Sequence, residues 1–318
     1  MRRTSAFLSL TAVAVLATAA QPQMSSDIEA IAAVIHDNYF NPARAHQIAN
    51  ELRSRARTEK LDELTDRQEL AEKLTAILRP HDGHFRVLYE SQPASPGTGP
   101  PRARRTPDDL HAANYGYRRT ERLPGDIYVI ELSEVAHIDF ADPNDPARRA
   151  ADAALAAMRD AKTVILDLRG NGGGAPSMVG YLVSAFVKPG SNVYNTFHSR
   201  QGTQSERPAV EYANPNLDAR LYVLTNRRTG SAAESIAFTL QSCGRAKVVG
   251  ESSGGAANPG AMFSTPGGFS VFVSTGSPRN PINGRNWEST GVTPDVETAP
   301  DAALERALAL AREEPHGK

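Results

Sequence analysis

Cysteine is almost missing from this chain. Cys243 is the single one in 318 residues, so no disulfide can form within the chain, and thiolate cages for zinc or iron–sulfur clusters are excluded. Its place at the end of an apolar helical pattern suits a small buried side chain. An excess of charge of either sign is missing too. With 35 Lys+Arg against 36 Asp+Glu, the formal net charge is -1, which provides no general attraction for nucleic acid or anionic lipid. Seven of the 8 histidines, His36, His46, His81, His111, His137, His198 and His316, are scattered without metal-ligand spacing, so no metal site is expected, and no cofactor is called for. What is present, 40% apolar and 22% charged residues, is the composition of an ordinary globular protein.

The first residues stand apart. Arg2 and Arg3 precede an apolar run from Ala6 to about Ala17, and Ala17-Thr18-Ala19-Ala20 offers small residues where a signal peptidase would cut. Residues 1–20 therefore read as an export signal, the run being short for a membrane span and lacking a following cysteine to carry lipid. A periplasmic or secreted protein with no integral membrane segment after cleavage is the expectation. Nothing in the composition decides whether it forms a homo-oligomer.

Residues 21–91 carry helical periodicity in three stretches, marked by Ile28, Ile31 and Ile35, then Ile48 and Leu52, then Leu70, Leu74, Ile77 and Leu78. Ser25 or Ser26 is the expected cap of the first and Thr65 or Asp66 of the third, with Asn41-Pro42 a break between. This small helical unit ends in the turn His81-Asp82-Gly83-His84 and a short strand, Phe85 to Tyr89. Residues 92–108, dense in Pro, Gly and Arg, read as a linker. From 109 to 318 strands alternate with helices: strands at Ile127 to Leu132, Thr163 to Leu168, Asn192 to Phe197, Leu221 to Thr225, Ala246 to Val249 and Phe269 to Ser274, helices beginning near Pro146, Ser177, Ala232 and Ala302. Apolar runs such as Thr163-Val164-Ile165-Leu166 suit a sheet covered on both faces, and the class is α/β.

Two strand-to-helix junctions carry the chemistry. Val164-Ile165-Leu166-Asp167-Leu168-Arg169 runs into Gly170-Asn171-Gly172-Gly173-Gly174, and Leu221-Tyr222-Val223-Leu224-Thr225 leads to Thr229-Gly230-Ser231-Ala232-Ala233-Glu234. Glycines let amides turn toward a ligand, and a helix start offers unpaired N–H groups, so each junction can hold a developing oxyanion. Ser231 adds a hydroxyl at the second. A serine at such an elbow, backed by an amide-rich loop, is an arrangement for acyl transfer, although a serine there also caps helices. Glu234, in the first turn after Ser231, reads as support through the helix dipole. Asp167 and Arg169 read as an ordering pair at the glycine loop.

These two strings, followed by Val248-Val249-Gly250-Glu251 and Gly291-Val292-Thr293-Pro294-Asp295-Val296, resemble in order and spacing the tail-specific, C-terminal processing serine protease family. Its relatives include the tricorn core and the interphotoreceptor retinoid-binding protein modules, and Asp82-Gly83-His84 after a helical start is similar to the latter branch. The resemblance covers nearly the whole mature chain. It implies a crotonase/Clp-protease-like ββα spiral core, with 109–318 as the catalytic domain, and a polypeptide substrate. By position it implies Ser231 as nucleophile, the amides of Ala232 and of Gly173 or Gly174 as oxyanion hole, His84 as base and Glu288 in support. One departure matters. Where the bacterial branch places a catalytic lysine, this chain has Ala256 in Gly250-Glu251-Ser252-Ser253-Gly254-Gly255-Ala256, so a Ser–Lys dyad needs a remote lysine to swing in, for which Lys247 in its expected strand is poorly placed. Resemblance to the tricorn-like branch implies histidine and glutamate instead. The stretch from 92 to 108 leaves no room for a PDZ module.

Two other classes stay in view. Retinoid-binding relatives of the same fold are lipid carriers, and a carrier needs no intact Ser, His and Glu set. Acyl-CoA hydratases use the same amide geometry, but an export signal and a serine elbow do not serve that reaction.

Overall fold

The structure is a computed structural model, and it describes residues 20–90 and 106–313. The expected export signal, apart from Ala20, and most of the expected linker lie outside the described residues. In chain order the helices are α1 (Ala20–Asn38), α2 (Pro42–Thr58), α3 (Arg67–Leu78), α4 (Pro107–Ala112), α5 (Pro146–Ala157), α6 (Pro176–Ser184), α7 (Ala232–Ser242) and α8 (Ala303–Glu313). The strands are β1 (Arg86–Tyr89), β2 (Tyr117–Leu123), β3 (Ile127–Leu132), β4 (Thr163–Asp167), β5 (Thr196–Ser199) and β6 (Gly202–Ser205). They continue with β7 (Arg220–Thr225), β8 (Ala246–Gly250), β9 (Gly260–Ser264), β10 (Phe269–Ser274), β11 (Gly276–Arg279) and β12 (Val296–Glu297).

The described residues fall into two compact units. The first joins 20–90 to a late hairpin, 260–274. Its helices bury the stripes expected of them, with Ile31, Ile35, Ile48, Leu52, Leu70 and Leu74 wholly inside. Asn41 caps α2 by accepting from Arg44 N at 3.1 Å, and Asp66 caps α3 by accepting from Gln68 N at 2.8 Å. Ser25 and Ser26 do not cap α1, which starts earlier and runs through them. The apolar face of the helices closes on an antiparallel sheet in the order β1-β10-β9, through Phe269, Val271 and Val273. Asp27 pins the hairpin turn, because Arg67 pairs with it at 3.1 Å and donates to Gly267 O at 2.6 Å.

The second unit, 106–259 and 275–313, holds a six-stranded sheet in the order β12-β8-β7-β4-β3-β2. All pairings are parallel except β2 with β3. Alternate residues of a strand serve opposite faces. Val164 and Leu166 of β4 enter the core formed with α5, α6 and α7, while Ile165 enters the smaller one with α8. An antiparallel sheet, β11-β5-β6, completes the unit. The α/β class with a helical N-terminal region is as expected. The expected catalytic domain of 109–318 is interrupted by the hairpin 260–274, which serves the first unit. Glycine loop and serine elbow follow neighbouring parallel strands, β4 and β7, so both sit at the carboxyl end of the sheet.

Candidate active site

Asn171, fully buried, organises the glycine loop. Its Nδ2 donates to Leu132 O at 2.9 Å, its Oδ1 accepts from Gly173 N at 2.9 Å, and its carbonyl accepts from Gly230 N at 2.9 Å. The last bond ties this loop to the elbow. Gly173 takes φ +103°, and a Cβ there would stand 2.7 Å from Ser231 Cβ and 3.0 Å from Ala232 N. Only glycine fits, because the loop backbone lies directly against the serine. Gly173's own amide is spent on Asn171, whereas the exposed Gly174 makes no amide hydrogen bond among the described residues.

Ser231 is exposed at the head of α7 with φ +52° and ψ -122°. A serine in that region stores on the order of 1–3 kcal/mol of strain, which surrounding contacts must hold. Glu234 supplies them. Its side chain is fully buried and accepts from Ser231 N at 2.8 Å, Ser253 Oγ at 2.5 Å, Gly255 N at 2.6 Å and Ala256 N at 2.9 Å. Ser253 Oγ accepts in turn from Val292 N at 2.6 Å. A carboxylate read from sequence as a helix-dipole partner is thus the junction of three motifs, and the capping-box spacing from Ser231 to Glu234 was its signal. The ordering pair is seen as well: Arg169 Nη2 meets Asp167 Oδ2 at 2.6 Å.

Glu288, also in the second unit, is half-buried rather than free in solvent. Its Oε2 accepts from the amides of Ala257 and Asn258 at 3.0 and 2.9 Å. The structure therefore brings Ser231, Ala232, Gly173 and Gly174 together, and fixes Glu288 to the segment that follows Ala256.

His84 belongs to the first unit, in the turn before β1. Its backbone N and Nδ1 both donate to Asp82 Oδ1, at 3.0 and 3.1 Å. Burial pushes the Asp82 carboxyl up, but hydrogen bonds from the His84 side chain and backbone and from Ser274 outweigh it and hold it at about 2. An ionised carboxylate only accepts, so Nδ1 carries the proton and Nε2 is the basic nitrogen. Asp82 was missed from sequence as the histidine's orienting partner. Its signal was the spacing of two residues, which suits a side chain that hydrogen-bonds the backbone two residues on.

The profile of peptidase family S41 matches residues 130–298, just over half of the chain. The chain belongs to peptidase family S41. Among curated relatives, the carboxyl-terminal-processing protease of Picosynechococcus sp. is 32% identical over 144 residues, covering 45% of this chain and 33% of that protein. Carboxyl-terminal-processing peptidase 1, chloroplastic, of Arabidopsis thaliana is 27% identical over 168 residues, covering 52% of this chain and 34% of that protein. The aligned part of this S41 chain thus spans about a third of the relatives it matches. In fold it is similar to the photosystem II D1 C-terminal processing protease (TM-score 0.54, 16% identity, 92% of this chain and 98% of that one). It is also similar to the tricorn protease (TM-score 0.53, 13% identity, 92% and 37%). No helix among the described residues of this S41 protein is long and apolar enough to cross a membrane.

Proposed function

We propose that this S41 protein is an exported serine peptidase, working in the periplasm or outside the cell, that hydrolyses peptide bonds of polypeptide substrates through Ser231. The observation that carries the reading is the strained Ser231 with the glycine loop packed against it, a juxtaposition that helix capping alone does not require. Neutral His84 takes the Ser231 Oγ proton on Nε2 as Oγ attacks the peptide carbonyl. The carbonyl oxygen becomes an oxyanion, held by the amides of Ala232 and Gly174, while Gly173 serves by its closeness to Ser231. The imidazolium returns the proton to the departing amine, leaving an acyl-enzyme that water hydrolyses by the same relay. Asp82 keeps Nε2 the basic nitrogen and favours the imidazolium. Glu288, anchored by two amides, supports the site from the segment that follows Ala256.

A fluorophosphonate probe tests the nucleophile: it labels the wild type at Ser231 and leaves Ser231→Ala unlabelled. Casein turnover falls by about 10⁴-fold or more in Ser231→Ala, and by at least 10²-fold in His84→Ala with the circular dichroism spectrum retained. Equal labelling of Ser231→Ala sinks the mechanism. Tight retinoid or fatty-acid binding without any hydrolysis would instead favour a carrier.

A further inference from the structure

Two arginines ahead of Ser231, Arg227 and Arg228, have no side-chain partner among the described residues. The β7–α7 loop is tied down at nearly every residue. Asn226 Oδ1 accepts from Gly170 N and Arg228 N at 3.0 and 3.1 Å, Thr229 Oγ1 donates to Leu168 O at 2.9 Å, and Gly254 N donates to Thr229 O at 2.8 Å. The backbone of Arg227 and Arg228 is therefore fixed, while both side chains are exposed. Neither forms a side-chain hydrogen bond or ion pair among the described residues. Arg169 nearby is the contrast, since it is neutralised by Asp167 and donates to Pro300 O.

The two arginines directly precede the elbow in the chain. The Arg228 guanidinium lies over Gly170, with Nη2, Cζ and Nε at 3.4, 3.9 and 4.0 Å from where a Cβ would stand. The Arg227 carbonyl is 3.3 Å from the Cβ position of Gly254, on the side of the 251–256 segment. Glu251, the acid of that segment, pairs with neither. Ser231 is three positions past Arg228, with Thr229 and Gly230 between them, at most about 10 Å of chain, which corresponds to about three residues of an extended substrate. A guanidinium's planar fork matches a carboxylate, and less freedom is lost for each hydrogen bond it forms than with a lysine ammonium.

We infer that Arg227 and Arg228 form a cationic subsite for an acidic side chain of the polypeptide substrate, so that cleavage at Ser231 favours segments with Asp or Glu near the scissile bond. This rests on the peptidase reading above. The test uses a peptide mapped from a casein digest, made with Glu or Gln at the three positions on each side of the cut. In the wild type at low salt the Glu peptide has the higher kcat/KM, by about two- to fivefold for each arginine engaged. The ratio collapses toward one in the double variant R227Q/R228Q, survives in R227K/R228K, and shrinks in 0.5 M NaCl.

A ratio near one in the wild type, or one unchanged in R227Q/R228Q, overturns the inference while leaving the peptidase reading intact. If no peptide is cut, the peptidase reading is what fails. Polarisation of a labelled decapeptide bearing central Glu-Glu or Gln-Gln then decides the subsite. Tighter binding of the Glu form that disappears in R227Q/R228Q supports it, and equal binding of the two forms overturns it.

Discussion

Glu234 answers four donors with two oxygens, two of them on each. Oε1 takes Ser253 Oγ and Gly255 N, Oε2 takes Ser231 N and Ala256 N. A glutamine there keeps the shape but turns one oxygen into an amide donor that faces donors. Each buried group left without a partner costs about 1–3 kcal/mol. The strained dihedrals of Ser231 lose part of what holds them as well. Glu234→Gln is therefore expected to be destabilised by about 2–4 kcal/mol and to react with the fluorophosphonate at least tenfold more slowly than wild type. Differential scanning calorimetry with labelling kinetics checks both, and an unchanged labelling rate would leave Glu234 a purely structural group.

At the scale of elements, α7 carries Ser231 at its head and a buried polar network along its flank. Glu206, just after β6, accepts from Ser235 Oγ at 2.5 Å and from Asn195 Nδ2 at 3.1 Å, and Asn195 Nδ2 also donates to Thr239 Oγ1 at 2.9 Å. Desolvation raises the Glu206 carboxyl to about 7, against hydrogen bonds from Ser235 and Asn195 that lower it. Between about 4.5 and about 7 the folded protein keeps a proton that the unfolded chain has released, so this group's contribution is full below that window and declines as pH rises through it. Glu206→Gln is expected to flatten that decline, by about 3 kcal/mol at most across the window. Urea titrations of both proteins from pH 4.5 to 7.5 read the slope, and parallel slopes would refute the assignment.

The same elements show what the sequence could announce. Parallel strands such as β4 and β7 appear as apolar runs because both faces are covered, and the three N-terminal helices appear because each buries one stripe. β2 escapes: its arginines and Thr120 are exposed on an edge strand, and polarity hides the pairing with β3. The strand expected at Asn192 to Phe197 starts only at Thr196, because buried Asn195 serves the polar network. Of the proposed catalytic residues, Ser231, His84 and the glycine loop could be picked out through motifs. Asp82 and the reach of Glu234 could not, since their roles depend on what folding places beside them.

At the scale of the whole chain, periodicity cannot say that residues 260–274 complete a core begun some two hundred residues earlier. Phe269, Val271 and Val273 are fully buried, in a cluster whose other members come mainly from α1, α2 and α3. β10 also pairs with β1, from Arg86↔Phe272 to Tyr89↔Phe269. A protein truncated to begin at residue 106 would keep the hairpin but lose all that covers it. Each of the three side chains then returns to water at a cost of about 1.5–3 kcal/mol, and β10 presents an unpaired apolar edge. Such a protein is expected to elute as soluble aggregates in size-exclusion chromatography. A second truncation, with residues 260–274 replaced by a short Gly-Ser linker, is expected to elute without those aggregates, because the cores around β4 and β7 draw nothing from the hairpin. Aggregation of both would mean that the second unit depends on the first for its own packing, and a well-behaved first truncation would show that the hairpin's apolar face needs no cover.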